Sequence, residues 1–241
     1  MKISKSVALV TGANRGIGRS LVEALLGAGS SKVYATARDT KTLEGVVALD
    51  PKRVVALELD VTSAQSIELA ASRAPDVTLL VNNAGVLASF NLLTSSKDQL
   101  EQDFAVNFYG VLAATKAFLP ALERSPIAAI ANVLTVVSLA SRPVIGGYSA
   151  SKAAAFSMTQ ALRAELKAKK IDVHAVIPGA VDTDMIRAFP IVKTSPSLVA
   201  KAIVEGIDHG DEDIVTDPMA GDAFARWQKD PKAFERYFGS L

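Results

Sequence analysis

Cysteine is absent from the 241 residues of this sequence. Without thiols the protein can form no disulfide bond, no thiolate metal site and no cysteine nucleophile. The absence also fits a reducing compartment, and we expect a cytoplasmic protein. Histidine is scarce as well: His174 lies inside a predicted strand and His209 lies near an acidic loop. Since neither has a partner ligand nearby in the sequence, we predict no metal site.

A large excess of one charge is also missing. The sequence has 26 lysines and arginines against 25 aspartates and glutamates, a net charge of +1. Such a balance gives no general attraction to nucleic acid or anionic lipid. No apolar run has transmembrane length, and the first five residues lead into a short apolar run without the cleavage site of a secretory signal. We therefore expect neither nucleic acid nor a membrane as a partner.

No linker, internal repeat or low-complexity segment divides the chain. With 49% hydrophobic and 21% charged residues it can bury a large core, and α/β chains of this length commonly form one domain. We predict a single dinucleotide-binding and catalytic domain over residues 1–241. The longest irregular connection, residues 178–196, is the predicted substrate loop, since long irregular segments of compact domains are often lids.

Short apolar runs rich in β-branched residues alternate with longer helical patterns, which is typical of successive β-α-β units in a mostly parallel sheet. Several runs are apolar at successive positions, as strands covered on both faces must be. Ser197 is a predicted helix N-cap, and Gly29 and Gly206 are predicted helix ends. The predicted strands are residues 7–11, 32–37, 54–59, 77–82, 128–134, 172–177 and 213–215, and the predicted helices are 19–28, 63–72, 100–123, 149–169 and 197–206.

A glycine-rich motif, Thr-Gly-Ala-Asn-Arg-Gly-Ile-Gly, occupies residues 11–18 between a predicted strand and a predicted helix. In that context glycines allow a tight turn and let backbone N–H groups approach a pyrophosphate at the helix N-terminus. The spacing is Gly-x-x-x-Gly-x-Gly, which departs from the general Gly-x-Gly-x-x-Gly pattern. Taken alone, the motif could also be an ordinary glycine turn into a helix.

Tyr148 is followed four residues later by Lys152. A carbonyl that accepts hydride develops negative charge on its oxygen, so catalysis needs a proton donor at that atom. A free phenol has a pKa near 10, and a nearby ammonium lowers that pKa. Because a spacing of four places both side chains on one face of a helix, we predict Tyr148 as proton donor and acceptor and Lys152 as the cation that lowers its pKa.

Three further motifs follow the same order along the chain: Asn82-Asn83-Ala84-Gly85, Asn107, and Pro178-Gly179-Ala180-Val181-Asp182-Thr183. Together the five motifs resemble the short-chain dehydrogenase/reductase family in its single-domain branch, over nearly the whole chain. The resemblance implies a Rossmann-type, doubly wound α/β fold with helices on both faces of a seven-stranded parallel sheet of order 3-2-1-4-5-6-7. It also implies a nicotinamide dinucleotide across the carboxyl ends of the strands.

The resemblance also implies positions for the cofactor contacts. Asp60 and Val61 should contact the adenine, Val181 should offer backbone groups to the carboxamide, and Thr183 should hold the nicotinamide end. For Asp60, an equal alternative is a role at the N-terminus of the helix that begins near Ser63. The full set of predicted cofactor-binding residues is Gly12, Asn14, Arg15, Gly16, Ile17, Gly18, Arg38, Asp60, Val61, Asn83, Ala84, Gly85, Tyr148, Lys152, Pro178, Gly179, Val181 and Thr183.

The end of the second predicted strand indicates which dinucleotide binds. An acid there would accept from a ribose 2′-OH and repel a 2′-phosphate. Here Ala37 stands where NAD-preferring relatives would carry the acid, Arg38 follows it, and Arg15 is a second candidate cation. Two guanidinium groups favour NADP(H) over NAD(H). If the carboxylate of Asp39 faced the ribose instead, the preference could invert.

Two more residues complete the predicted catalytic set. By resemblance, Asn107 holds a water that connects Lys152 to solvent. The substrate-orienting hydroxyl of the family lies 13 residues before the tyrosine, which is Thr135 here instead of the usual serine. Threonine keeps the hydroxyl, although its methyl group is stiff and narrows the pocket. Ser138 is the alternative donor.

Apolar residues in the predicted substrate loop, with Leu87, Val144 and Ile145 nearby, favour a hydrophobic or aromatic ketone, aldehyde or secondary alcohol as substrate. Arg187 and Lys193 could meet an acidic substrate group. The predicted function is thus that of an NADP(H)-dependent carbonyl reductase or alcohol dehydrogenase. Two other classes stay open: a non-catalytic NADP-binding redox sensor, and an isomerase or dehydratase on the same scaffold. By resemblance, the protein would form a homodimer or homotetramer through the alanine-rich predicted helix 149–169 and the long predicted helix 100–123 before it.

Overall fold

A computed structural model describes all 241 residues of the protein. Seven strands form one sheet in the order β3-β2-β1-β4-β5-β6-β7, and every pair of neighbours is parallel. This confirms the predicted fold class and strand order. The strands are β1 (Val7–Val10), β2 (Lys32–Ala37), β3 (Val54–Glu58), β4 (Leu79–Asn82), β5 (Ala128–Val133), β6 (Ile171–Ile177) and β7 (Asp213–Val215).

Nine α-helices surround the sheet. They are α1 (Gly16–Gly27), α2 (Glu44–Val47), α3 (Ala64–Arg73), α4 (Lys97–Phe104), α5 (Val111–Arg124), α6 (Gly146–Leu166), α7 (Pro196–His209), α8 (Pro218–Lys229) and α9 (Pro231–Gly239). A π-helical segment, Ala105–Gly110, joins α4 to α5. Short 3₁₀ helices lie at Thr40–Leu43, Val136–Ser138, Pro143–Ile145, Lys167–Lys169 and Asp184–Ile186.

Helices cover both faces of the sheet, so its central strands are buried at every position. On one face, side chains of α1, α2 and α7 form a core with alternate strand residues. On the other face, α3, α5 and α6 form a second core, to which α8 adds Ala220 and Ala223 and α9 adds Phe234 and Phe238. The double cover explains the uninterrupted apolar strands of the sequence.

Of the three residues predicted to cap or end a helix, Ser197 and Gly206 are wrong. The N-cap of α7 is Ser195, whose hydroxyl accepts from the N–H of Leu198, and Ser197 lies within the helix. Gly206 does not end α7; it lies inside the helix, where a Cβ would come within 2.7 Å of Ile214. The helix ends at His209, and Gly210 adopts a left-handed φ of 87° after it. Gly29 does end α1, with a φ of 88°.

The continuous helical stretch Lys97–Arg124 is long and apolar enough to cross a membrane if only length and composition are considered. Core helices of sheet proteins often meet the same criteria. In this fold Phe118 and Leu122 are fully buried in the core beside Leu80 of β4 and Ile130 of β5. The apolar face of the stretch is therefore used to cover the sheet.

Candidate active site

A cavity of about 860 Å³ runs along the carboxyl ends of the strands. Every residue of the predicted cofactor-binding set lines it, as does Thr135, whereas Asn107 and Ser138 do not. The cavity has two parts. Its glycine-loop half is lined from residues 12–18, 37–39, 59–62 and 83–85, and its C-terminal half from residues 133–148, 185–191 and 219–241.

The glycine loop has a backbone that only glycine adopts easily. Gly12 and Gly16 have φ values of 65° and 53°, in the left-handed region. At Gly18 a Cβ would lie 2.1 Å from the carbonyl oxygen of Gly12, so the first turn of α1 packs directly on the loop. The glycines of this motif are therefore required by the turn itself.

Asn83 and Thr11 hold the glycine loop in place. The hydroxyl of Thr11 accepts from the N–H groups of Asn83 and Ala84, both at 2.9 Å. The side-chain amide of Asn83 donates to the carbonyls of Thr11 and Gly12, at 2.9 and 3.1 Å. Because both donors of this amide are engaged within the protein, the side chain of Asn83 shapes the loop.

The N-terminus of α1 opens into the cavity without a cap. No side chain accepts from its first N–H groups, and its first turn contains no acid. By contrast, α3, α4 and α7 are capped by serines, and α8 and α9 by aspartates. The first N–H groups of a helix have no intrahelical partner and carry partial positive charge. The chain thus leaves at α1 an anion site of the kind that holds a pyrophosphate.

Arg38 and Asp39, at the end of β2, have different partners. The carboxylate of Asp39 accepts from the backbone N–H of Lys41 at 2.9 Å and caps the 3₁₀ helix that follows. The exposed guanidinium of Arg38 lies at the cavity and takes part in no ion pair. The second candidate cation, Arg15, pairs with Asp184 at 2.8 Å. Arg38 is therefore the cation available to a phosphate at this end.

Asp60 and Val61 line the cavity beside β3. One oxygen of Asp60 accepts from the backbone N–H and the hydroxyl of Thr62, at 2.9 and 2.7 Å, and the N-cap of α3 is Ser63. Val61 packs against the π-helical segment so closely that a Cβ on Gly110 would lie 2.9 Å from its carbonyl oxygen. Asp60 thus braces its own turn and keeps its second oxygen for other contacts.

Tyr148 and Lys152 lie one turn apart near the start of α6, and 8% and 4% of their surfaces are exposed. The ammonium of Lys152 donates to the carbonyl of Val133 at 2.8 Å and lies 6.0 Å from the centroid of the Tyr148 ring. Burial lowers the pKa of Lys152 to about 8. Burial also raises the pKa of Tyr148, and the negative charge of Asp103 adds to that rise. The predicted lowering by Lys152 does not dominate here, because desolvation disfavours both charged forms.

The two candidate hydroxyls are used differently. Thr135 Oγ1 accepts from the N–H of Val137 at 3.4 Å and lines the cavity, so its own proton is free. The hydroxyl of Ser138 donates to the carbonyl of Thr135 at 2.6 Å, away from the cavity. The geometry thus favours Thr135 over Ser138 as a donor to a ligand.

Asn107 lies in the π-helical segment and is fully buried. Its amide donates to the carbonyl of Val86 and to the hydroxyl of Ser151, and its oxygen accepts from the N–H of Val86. A Cβ on Gly85 would be 3.4 Å from that oxygen and 3.6 Å from the ammonium of Lys152. Asn107 therefore fixes the strand end and the start of α6, and its remaining acceptor faces the same space as Lys152.

The family model for short chain dehydrogenases matches residues 6–190. The chain belongs to the short-chain dehydrogenase/reductase family. A 3-oxoacyl-acyl-carrier-protein reductase of Haemophilus influenzae is 35% identical over 184 residues, which cover 74% of this chain and 75% of that protein. The short chain dehydrogenase pigC of Monascus ruber is 32% identical, and the alignment covers 76% of this chain and 65% of its length. A solved short chain dehydrogenase of Burkholderia cenocepacia, in complex with NADP, has a TM-score of 0.92 and 38% identity, with 99% of each chain covered.

The segment that follows the matched residues 6–190 also reaches the cavity, although it was not predicted from the sequence. Helices α8 and α9 bring apolar side chains to the cavity: Met219, Ala223, Phe234, Tyr237 and Phe238. Asp217 and Asp230 each cap a helix that starts with proline. This pairing of an N-cap with proline at the first helical position is a signal that could have predicted both helices.

A hydrogen bond joins the N-terminus of helix α8 to the Pro178–Gly179 segment. The carboxylate of Asp217 accepts from the N–H of Gly179 at 2.8 Å, and a Cβ on Gly179 would be 2.7 Å from that carboxylate. From the predicted substrate loop, Met185, Ile186, Phe189 and Ile191 line the cavity, whereas Val192 is 87% exposed. The substrate loop therefore supplies only part of the apolar wall.

Asp103 is a second feature that the sequence analysis missed. It is fully buried in α4, where its carboxylate accepts from the N–H groups of Ala88 and Ser89 and from the hydroxyl of Ser89. Its charge also raises the pKa values of both Tyr148 and Lys152. A single aspartate on a polar helix gives no sequence signal of such a position.

Proposed function

We propose that this protein is an NADP(H)-dependent oxidoreductase that transfers hydride between nicotinamide and a hydrophobic or aromatic ketone or aldehyde, or the corresponding secondary alcohol. One observation carries the proposal: a single cavity joins the uncapped N-terminus of α1 to the buried pair Tyr148 and Lys152. An anion site for a pyrophosphate and a proton donor for a carbonyl are the two parts that this reaction needs.

The residues that line the glycine-loop half fit the separate groups of a phosphorylated dinucleotide. The N–H groups at the start of α1 would hold the pyrophosphate, and Arg38 would bind a 2′-phosphate of the adenosine ribose. Asp60 and Val61 would contact the adenine, and Val181 and Thr183 the nicotinamide end. The cofactor, when bound, supplies or accepts the hydride. The NADP complex of the 38% identical Burkholderia protein supports this assignment.

Tyr148 would give its proton to the carbonyl oxygen as that oxygen becomes negative, while Thr135 donates a second hydrogen bond to orient the substrate. Because burial raises the pKa of Tyr148, its phenol stays protonated at neutral pH. A protonated phenol suits reduction, whereas oxidation would first require removal of that proton.

Lys152 and Asn107 would help to return a proton to Tyr148. At neutral pH Lys152 is mostly protonated, since its pKa is about 8, and its ammonium stabilises any negative charge that develops on Tyr148. The open side of Gly85 faces both the ammonium of Lys152 and the oxygen of Asn107, and a water held there would connect the two groups. This supports Asn107 as the relay residue through its remaining acceptor capacity.

We further propose that the protein acts in the cytoplasm as a homodimer or homotetramer, built through α5 and α6. The outer face of α6 carries exposed alanines at positions 150, 153, 161 and 164, and Tyr109 beside it is 62% exposed. Small side chains allow close approach of a second helix. Light scattering on the purified protein measures this mass directly.

The test of the proposed function is NADPH absorbance with a panel of aromatic and aliphatic ketones and aldehydes, alongside the same panel with NADH. An oxidoreductase consumes one cofactor for each alcohol formed, and NADPH should give the higher kcat/KM. A redox sensor would bind NADPH without consuming it in the presence of any carbonyl. An isomerase or dehydratase would form product without net loss of cofactor.

A further inference from the structure

Two side chains of opposite charge are buried in this protein. Of its 26 lysines and arginines and its 25 aspartates and glutamates, only Lys152 and Asp103 are buried, with 4% and 0% of their surfaces exposed. Asp103 forms no ion pair, and the lysine on its own helix, Lys97, pairs with Glu101 instead. A buried charge is costly, and a neutral side chain could hold a loop with a smaller desolvation cost. A role for the charge of Asp103 itself is therefore indicated.

Ser89 connects Asp103 to the first turn of α6. The carboxylate of Asp103 accepts from the N–H and the hydroxyl of Ser89. A Cβ on Gly147 would lie 2.1 Å from the oxygen of that hydroxyl, and the N–H of Gly147 donates to the carbonyl of Phe90 at 3.3 Å. Gly147 immediately precedes Tyr148. A displacement of Ser89 would therefore be passed to the backbone of Tyr148.

Asn107 lies one helical turn after Asp103 and holds the other end of the same segment. Its amide donates to the carbonyl of Val86 at 2.9 Å, and its oxygen accepts from the N–H of Val86 at 3.0 Å. Asp103 accepts from the N–H of Ala88 at 2.9 Å. Since Val86 and Leu87 line the cavity, one continuous helical stretch fixes this part of the cavity wall at both ends.

The charge of Asp103 also acts on the ammonium of Lys152. Burial lowers the pKa of Lys152 to about 8, and the charge of Asp103 opposes this lowering. The ammonium borders β5, residues 83–92 and the π-helical segment, and none of these contains a charged residue. The tyrosine of the π-helical segment, Tyr109, is 62% exposed. Asp103 is therefore the buried charge that stabilises the protonated form of Lys152.

Other charged groups near the site are exposed or half-buried, so water screens them more strongly than it screens Asp103. On α6 the next charged residue after Lys152 is Arg163, which binds Asp213 at 2.9 Å. Arg187 and Lys193, which the sequence suggested for an acidic substrate group, do not line the cavity. The charged residues that do line it, apart from Lys152, are Arg15, Arg38, Asp39, Asp60, Arg142, Asp184 and Asp222.

We propose that Asp103 is a positioning residue for the reaction: its carboxylate holds Ser89 against the start of α6, and its negative charge stabilises the ammonium of Lys152. Asp103 does not line the cavity, so it acts through these residues and touches no ligand. The inference rests on the proposed function, because hydride transfer is what gives Tyr148 and Lys152 their tasks.

The test of the charge compares Asp103→Asn with Asp98→Asn, which removes an exposed acid from the same helix. Carbon NMR of protein labelled at lysine Cε, without cofactor, follows the titration of Lys152, whose signal is assigned by its loss in Lys152→Met. In Asp103→Asn, Lys152 should lose its proton at a pH lower by about half a unit or more. The pH at which turnover is half lost should fall by the same amount. Asp98→Asn should leave both values unchanged.

Two further variants separate position from charge. Ser89→Ala removes the hydroxyl between the carboxylate and Gly147 but keeps the charge. Its kcat should fall about tenfold, because a small misplacement of a reacting group is enough for such a loss, while the titration of Lys152 stays as in the parent. Asp103→Glu keeps the charge on a longer side chain and should restore the titration of Lys152 without restoring kcat. Urea unfolding checks that each variant is folded.

Two results would overturn the inference: a titration of Lys152 that is the same in Asp103→Asn and Asp98→Asn, or turnover at the parent rate in Ser89→Ala. The second result decides even if Asp103→Asn does not fold. A shifted titration in a protein that consumes no NADPH with any carbonyl would support the interaction of Asp103 with Lys152 and refute the proposed hydride transfer. An unshifted titration in an active enzyme would refute only the role of Asp103.

Discussion

The two halves of the cavity are built from different parts of the chain. In the glycine-loop half, backbone lines much of the wall: Gly12 and Gly16 have left-handed φ values, and α1 presents its free N–H groups. In the C-terminal half the wall contains large side chains, such as Phe234 and Phe238 of α9. The first half fits what all dinucleotides share, and the second can vary with the substrate.

We expect this difference to divide the tasks of the protein, with cofactor binding in one half and catalysis and substrate choice in the other. The anion site of α1 depends on main-chain geometry, which few substitutions can reproduce. The apolar wall depends on side chains that can be exchanged at fixed backbone. We therefore expect changes in the glycine-loop half to affect cofactor binding and folding, and changes in the C-terminal half to affect turnover and substrate choice.

The largest expected effect is a loss of turnover caused by a substitution in the C-terminal half alone. Tyr148→Phe keeps the ring but removes the proton donor, and turnover should fall about 10²- to 10⁴-fold. The Kd of NADPH, measured by fluorescence titration, should stay the same because the glycine-loop half is untouched. Turnover at the parent rate would remove Tyr148 from the mechanism.

The next largest expected effect is a loss of stability caused by a substitution in the glycine-loop half. In Gly18→Ala the new Cβ would lie 2.1 Å from the carbonyl oxygen of Gly12, so the loop must move, and we expect a loss of about 3 kcal/mol or more in the free energy of unfolding. The control is Gly27→Ala at the other end of α1, where a Cβ meets nothing within 4 Å. That change should stabilise the helix by up to about 1 kcal/mol. Urea unfolding measures both, and equal effects would contradict the packing argument.

A smaller effect is expected on the preference of the glycine-loop half for NADPH over NADH. Arg38→Met should weaken NADPH binding about tenfold, the value of one lost charge-assisted contact, and leave NADH binding unchanged. Lys41→Met, a nearby change that also removes one positive charge, is the control. If both cofactors weakened equally, Arg38 would not read the 2′-phosphate.

A still smaller effect is expected on the pH dependence of the free energy of unfolding, to which the titration of Lys152 contributes. Its pKa is about 8 in the folded protein against an ordinary value of 10.5. Between these values the unfolded chain binds a proton that the folded protein does not, so the free energy of unfolding should rise with pH by about 1 kcal/mol per unit. Lys152→Met should remove this rise. Since the other groups titrate alike in both proteins, the difference between their stabilities at pH 8 and pH 9.5 isolates it.

A difference that stayed constant over this pH range would show that Lys152 is not desolvated. Turnover tests the same charge independently, because the parent enzyme should lose activity as pH rises through about 8 and the ammonium of Lys152 is lost. The two measurements together separate the role of the charge in folding from its role in catalysis.

The same contrast explains what could be predicted from the sequence. The glycine loop was predictable because the turn requires Gly12, Gly16 and Gly18 whatever the surroundings. The proximity of Tyr148 and Lys152 was predictable because residues four apart lie on the same face of a helix. The order of the strands came from the family resemblance, since periodicity alone does not specify which strands are neighbours.

The remaining parts depend on tertiary contacts that leave no local pattern. Asp103 looks like a solvated charge on a polar helix until the loop that holds Ser89 folds over it. Helices α8 and α9 do have caps in the sequence, but their contact with the cavity depends on Asp217 reaching Gly179.

The smallest expected effect concerns the hydroxyl of Thr135 in the C-terminal half. Thr135→Ser keeps a donor whose proton is free and removes one methyl from the cavity wall, so kcat/KM should stay equal or rise a few-fold, by about 1 kcal/mol at most. Thr135→Val keeps the shape without the hydroxyl and should lose activity. Ser138→Ala should change little, because the proton of Ser138 is bound to the carbonyl of Thr135. If Ser138→Ala instead lost more activity than Thr135→Val, the substrate would take its second hydrogen bond from Ser138.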